Sequence, residues 1–294
     1  MRNHHLKQQT RHLFLLAGQS NMEGMGRVHD LPPDLLQCQD DVLIYHPNRR
    51  KDHEPPDRSG SWQTLAPGQG EGYHETYRLF LRCRYGPTKP HPSGRFGVEL
   101  TFSRHLRRHN PEWKIALFKY AKGGSAIHSG IPKDWGTWDT DPQTRKHTNQ
   151  WTHFQYHYQQ ALRTWGDREV LKPAAILWLQ GESDASFSRE IADAYSANLK
   201  RLIQNMRLLA GNPELPALIG RISHPGGTQP PPFMPWVEQI QQAQERFVSE
   251  DPQSALIVPD REPGWQDEWH YDSRTYLELG EQFAEAFIRL KGSE

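Results

Sequence analysis

Five short apolar runs limit what this chain can fold into: LFLLA at 13–17, KIALF at 114–118, AAILWL at 174–179, PALIG at 216–220 and ALIVP at 255–259. None sustains an apolar/polar alternation, so each reads as a strand buried on both faces, the pattern of a mainly parallel sheet. Between and after them, helical segments are expected over 97–109, 151–165, 188–209, 236–248 and 273–290. Strand following helix following strand predicts an α/β fold, a three-layer α/β/α sandwich. No break in composition divides the 294 residues, and the whole chain, 1–294, reads as a single domain.

Three stretches depart from that rhythm. Residues 46–95, 122–150 and 223–236 are rich in Pro, Gly, His or Trp, and each follows an expected strand or its neighbour. Long connections in a compact domain are commonly binding surfaces or lids. In a parallel sheet they leave from the same edge, so these three are expected to gather on one side of the molecule.

Lys plus Arg and Asp plus Glu number 35 each, which gives no overall attraction to nucleic acid or an anionic membrane. No apolar run approaches the roughly 20 residues of a membrane span. HLFLLAG is a poor signal peptide because a candidate reactive serine stands at its end, so the chain reads as soluble, either cytoplasmic or a processed exported form. Cys38 and Cys83 can form one disulfide or none, and neither lies in a metal-binding cluster. His153 and His157 have the spacing of helical zinc ligands, but HFQYH lacks the glutamate of HExxH, and no metal is expected there.

The first apolar run stops at Gly18-Gln19-Ser20, which puts Ser20 at the carboxyl end of a strand, where open α/β sheets place their ligands. A nucleophilic serine needs a base, and the base needs a group to orient it. GWQDEWHYD supplies Asp267 and His270 just ahead of the last helix. Read alone, Ser20 is better explained as a helix cap than as a nucleophile, because Glu23 follows at the spacing of a capping box. Likewise, Asp267 and His270 alone could be a structural pair.

Five blocks taken together resemble the SGNH-type hydrolases, and within them the branch of sialate O-acetylesterases and of the acetylxylan esterases of carbohydrate esterase family six. They are GQSNMEG at 18–24, GRFGVEL at 94–100, KYAKGGSAI at 119–127, LWLQGESDA at 177–185 and DEWHYD at 267–272. The resemblance implies a flavodoxin-like sheet, no cofactor, and an acetylated carbohydrate substrate rather than nucleic acid or membrane. It implies Ser20 as nucleophile, His270 as base and Asp267 as the orienting carboxylate, with Glu182 as the rival acid. Oxyanion donors would be the Ser20 and Gly97 amides and the Gln180 side chain, although Gln-Gly-Glu replaces the superfamily's broader Gly-x-Asn-Asp pattern. Gln19, Asn21 and Gly124 would support the site.

Trp135, Trp138 and Trp151 could flank a sugar groove or close a satellite core, and Arg221 could meet a substrate oxygen or anchor a loop. Acetylated xylan or xylo-oligosaccharide is the favoured substrate from the family-six resemblance. The alternative is an O-acetylated sialic acid, whose carboxylate would call for a cation such as Arg221. A reading from another class, a carbohydrate-binding protein without catalysis, predicts glycan binding with no acetate release.

Overall fold

The structure is a computed structural model that describes residues 9–74, 93–131, 135–144, 148–166, 169–226 and 230–292. In chain order the elements are β1 (Thr10–Gly18), α1 (Ser20–Glu23), β2 (Gly26–Arg27), β3 (Gln39–Tyr45), β4 (Trp62–Leu65), β5 (Arg95–Phe96), α2 (Glu99–His109) and β6 (Lys114–Ala121). There follow α3 (Gln150–Trp165), β7 (Val170–Leu179), α4 (Arg189–Leu209), β8 (Ala217–Gly220), α5 (Val237–Glu250), β9 (Ser254–Ile257) and α6 (Ser273–Gly292).

Seven strands form the central sheet in the order β4-β3-β6-β1-β7-β8-β9. Every pairing is parallel except that of β4 with β3 at one edge. Residues of β1 turn alternately to two cores, Leu13, Leu15 and Ala17 to one and Phe14 and Leu16 to the other. The first core is closed by residues of α3, α4 and α5, such as Phe154, Leu202 and Ile240, and the second by residues of α2 and α6, such as Phe102 and Phe283. Burial on both faces explains why the sequence of this strand is apolar throughout rather than alternating. The expected α/β/α layering is the observed one.

The sequence reading missed two strands of the central sheet, as well as the short β2–β5 pair. β3 begins with the polar Gln39, Asp40 and Asp41, and only Val42, Ile44 and Tyr45 are buried, so its apolar run is too short to stand out. β4 is the edge strand, and three of its four residues are half-exposed. Cys38 is disulfide-bonded; Cys83, His4 and His5 lie outside the described residues. Among the described residues no helix is long and apolar enough to cross a membrane.

Candidate active site

β1 lies between β6 and β7, where the chain crosses from one half of the sheet to the other, and its carboxyl end opens onto a cavity of about 570 Å3. Gly18 ends the strand at φ 149°, and a Cβ there would come within 2.1 Å of the Leu179 carbonyl oxygen, so only glycine allows β1 and β7 to converge. Gln19 N–H then donates to that same carbonyl at 3.1 Å, and the chain turns into the single helical turn of α1 with Ser20 at its start. The capping-box reading does not hold: Gln19 is the N-cap, without a side-chain cap, and the Glu23 carboxylate is bonded elsewhere. Ser20 is 6% exposed, lines the cavity, and its hydroxyl makes no hydrogen bond among the described residues.

His270 lines the same cavity. Its Nδ1–H donates to Asp267 Oδ2 at 2.8 Å, and Asp267 Oδ1 accepts from the backbone N–H groups of Trp269 and His270, both at 2.8 Å. Because a carboxylate can only accept, this contact puts the proton of a neutral imidazole on Nδ1 and leaves Nε2 basic. Partial burial raises the Asp267 pKa, but the hydrogen bond from His270 and those from the two amides outweigh it, and the carboxyl is held below its ordinary range. Of the two candidate acids, Asp267 is the one bonded to His270.

Glu182 is buried, 1% exposed. Its Oε1 accepts from Asn21 Nδ2 at 2.6 Å, while its Oε2 has no partner among the described residues. Burial pushes its pKa up, and the Asn21 hydrogen bond only partly offsets that rise. Asn21 also donates to the Trp269 carbonyl at 3.1 Å and accepts from the Tyr276 hydroxyl at 2.6 Å. It therefore ties the serine helix, the Glu182 loop and the histidine loop together.

Two expected oxyanion donors are engaged with other partners in the structure. Gln180 is wholly buried and absent from the cavity wall; its side-chain amide donates to Gln19 Oε1, the Ser125 carbonyl and Asp184 Oδ2 at 3.2, 3.1 and 2.7 Å. It braces the loops around Gln19 and Ser125. Gly97 N–H donates to Glu99 Oε1 at 2.9 Å, and the residue packs against Gly24 behind α1. Gly123 and Gly124 line the cavity instead, in a turn closed by Ser125 N–H donating to the Lys122 carbonyl at 3.2 Å. Gly124 has φ 71°, a conformation that favours glycine, and its N–H makes no hydrogen bond among the described residues; neither does that of Ser20.

Trp135 lines the cavity, is 46% exposed, and rests between Gly124 and the edge of Phe187, whose ring centre is 5.6 Å away. Trp138 does not join it. That side chain is fully buried, donates from Nε1 to Ser125 Oγ at 2.8 Å and packs edge-on to Trp178. Trp151 is also core. Arg221 is turned to α5, bonded to Glu245 Oε1 at 2.8 Å and Gln241 Oε1 at 3.0 Å, and takes no part in the cavity wall. His153 and His157 pack on the inner side of α3, where burial pushes His157 down to about 4.

A sequence model of the family described as carbohydrate esterase, sialic acid-specific acetylesterase, matches residues 10–289. The chain belongs to this family. An Arabidopsis thaliana protein named a probable carbohydrate esterase is 24% identical over 285 residues, 94% of this chain and 90% of that protein. An X-ray structure of an Arabidopsis thaliana protein has a TM-score of 0.62 at 21% identity, over 95% of this chain and 98% of that one. A carbohydrate acetylesterase of Xanthomonas citri also reaches 0.62, at 18% identity, over 96% of this chain and 56% of that one. NanS gives 0.60 at 16% identity, over 98% and 100% of the two chains. These structural likenesses establish the shared fold.

The cavity has charged walls that sequence reasoning did not assemble. Arg49, Glu23, Glu71 and Lys122 all line it. Arg49 Nη1 meets Glu23 Oε2 at 2.6 Å, whereas Lys122 has no ion-pair partner among the described residues. Burial lowers the Lys122 pKa, and Glu23 partly restores it. Trp269, adjacent to His270, completes the aromatic part of the wall; its place beside the histidine in DEWHYD was the available signal. Arg49 carried none, since it comes from an irregular stretch far away in sequence.

Proposed function

We propose that the chain is a serine O-acetylesterase of carbohydrates that works through an acetyl-enzyme. The observation that carries this reading is the Asp267–His270 pair, bonded at 2.8 Å, with His270 and Ser20 lining one cavity. Ser20 Oγ attacks the acetyl carbonyl while His270 Nε2 takes its proton. The Ser20 and Gly124 amides donate to the developing oxyanion, where fixed donors supply several kcal/mol. The tetrahedral intermediate collapses as His270 returns the proton to the departing sugar oxygen. Water, activated by the same imidazole, then attacks the acetyl-serine and releases acetate. Asp267 holds the required tautomer throughout and stabilises the imidazolium.

Trp135 and Trp269 give a sugar ring apolar surfaces on two sides of this chemistry. With Trp138 and Trp151 in the core, the support for a tryptophan-lined xylan groove is reduced to Trp135. Lys122 offers a cation to a sugar acid, which a neutral xylose unit does not need. The reading therefore favours an O-acetylated sialic acid over acetylated xylo-oligosaccharide, with Lys122 in the part first given to Arg221.

The test is acetate release from both substrates by the wild type, Ser20→Ala and Lys122→Met. Serine-dependent release from the sialic acid, with KM raised by Lys122→Met, is expected. Release only from the xylo-oligosaccharide would reverse the substrate choice, and saturable glycan binding without any release would support the non-catalytic reading.

A further inference from the structure

α1 has only four residues, too few to hold a helical conformation unaided, so its geometry must be imposed from outside. Much of that constraint converges on Glu23. Standing one turn after Ser20, it accepts the Gly123 N–H on Oε1 at 2.7 Å, meets Arg49 Nη1 on Oε2 at 2.6 Å, and accepts Lys119 Nζ on its carbonyl at 2.8 Å. Lys119 is itself buried and paired with Glu99 at 2.8 Å. Glu23 is 4% exposed, yet it forms part of the cavity wall.

The bond to Gly123 reaches the element that faces the nucleophile. A Cβ built on Gly123 would lie 3.5 Å from the Ser20 Cβ, so this glycine sits directly against the serine. Lys122 N–H, donating to the Gly18 carbonyl at 3.0 Å, fixes the start of the turn, and Ser125 closes it. What remains is the rotation of the two central peptides. Glu23 fixes the first of them, and a rotation there would swing the Gly124 N–H that follows.

We infer that Glu23 is a positioning residue: its carboxylate, locked by Arg49, holds the Gly123 peptide so that the Gly124 N–H stays aimed at the oxyanion formed on attack by Ser20. The inference rests on the function proposed above. A carboxylate suits the task because it only accepts, one oxygen serving an amide and the other a guanidinium. Glutamine can keep the first contact but turns an NH2 group toward Arg49.

The experiment measures kcat, KM and the inhibition constant of a phosphonate that mimics the tetrahedral intermediate, for Glu23→Gln, Arg49→Met and Ser20→Ala, with p-nitrophenyl acetate as substrate. Losing one oxyanion donor lowers kcat by about 10²–10³. Loosening one by Glu23→Gln or Arg49→Met should cost about 10- to 100-fold in kcat, with KM within about twofold and phosphonate binding weakened in parallel. A structural role alone would lower the melting temperature without linking kcat to phosphonate affinity. Unchanged kcat in both folded variants, or a loss in KM alone, would overturn the inference while Ser20→Ala still abolished turnover. Retained turnover in Ser20→Ala would overturn the proposed mechanism and this inference with it.

Discussion

The two sides of the cavity are held in place by opposite means. On the nucleophile side, Ser20 emerges from the central strand of the sheet, and its neighbours bond to residues far away in sequence: Gln19 to Leu179, Asn21 to Glu182 and Tyr276, Glu23 to Gly123. On the base side, His270 stands on a rim loop and is oriented by a carboxylate three residues before it, whose side chain is 49% exposed. The nucleophile is thus fixed by the whole fold, whereas the base is fixed by a local turn. Changes on the base side should cost activity with little stability; changes on the nucleophile side should cost both.

His270→Ala gives the largest expected contrast. Turnover of an acetyl ester should fall by at least about 10⁴-fold, while the thermal midpoint stays close to that of the wild type. Next is Asp267→Asn, which keeps the shape of the loop but disturbs the tautomer, with a loss in kcat of up to about 10⁴-fold. Because the Asp267 carboxyl is held below its ordinary range, its bond to His270 persists above that range and fails only as pH falls through the lowered value. An acid limb in kcat/KM that shifts or disappears in Asp267→Asn checks this.

Asn21→Ala strikes a residue that joins the two sides. It strands the Tyr276 hydroxyl and the Glu182 carboxylate in the interior, and should destabilise by about 1–3 kcal/mol per unsatisfied group while also slowing turnover. Urea unfolding beside steady-state kinetics would show whether both fall. Activity lost at full stability would place Asn21 on the base side of the comparison.

Glu182→Gln has the smallest expected effect on rate, within about threefold, because glutamine keeps an oxygen for Asn21 and Asp267 already orients the base. Its effect on stability has a defined sign. Burial raises the Glu182 pKa, so the folded state binds this proton more tightly than the unfolded state does. Stability from this group is complete below the ordinary carboxylate pKa and declines as pH rises toward the raised one. Glu182→Gln should flatten that decline in a pH series of melting curves. A loss of turnover as large as that of Asp267→Asn would instead make Glu182 the orienting acid.

The same division explains what could be read from sequence. Five of the strands were legible because each writes an uninterrupted apolar run; β3 was not because it opens with three polar residues, and β4 was not because three of its four residues are half-exposed at the edge. Ser20, Asp267 and His270 were legible from short motifs whose chemistry is local. The engagements of Gln180 and Gly97 were not legible because a motif fixes which residues are adjacent and not which way an amide points: Asp184, Gln19 and Ser125 claim the Gln180 side chain, and Glu99 claims the Gly97 N–H. Trp135 and Trp138 are three residues apart in one loop, yet one faces the cavity and the other fills the core, a difference decided by Ser125 and Trp178.

The central claim is that Ser20 carries the acetyl group between the two half-reactions. Rapid acid quenching of the enzyme during turnover of an acetyl ester, followed by peptide mass spectrometry, tests it directly. The account predicts an acetyl adduct on the peptide containing Ser20, absent from Ser20→Ala and longer-lived in a His270→Ala enzyme acylated by an activated ester. Full turnover by Ser20→Ala, or an acetyl group carried on another side chain during turnover, would contradict it.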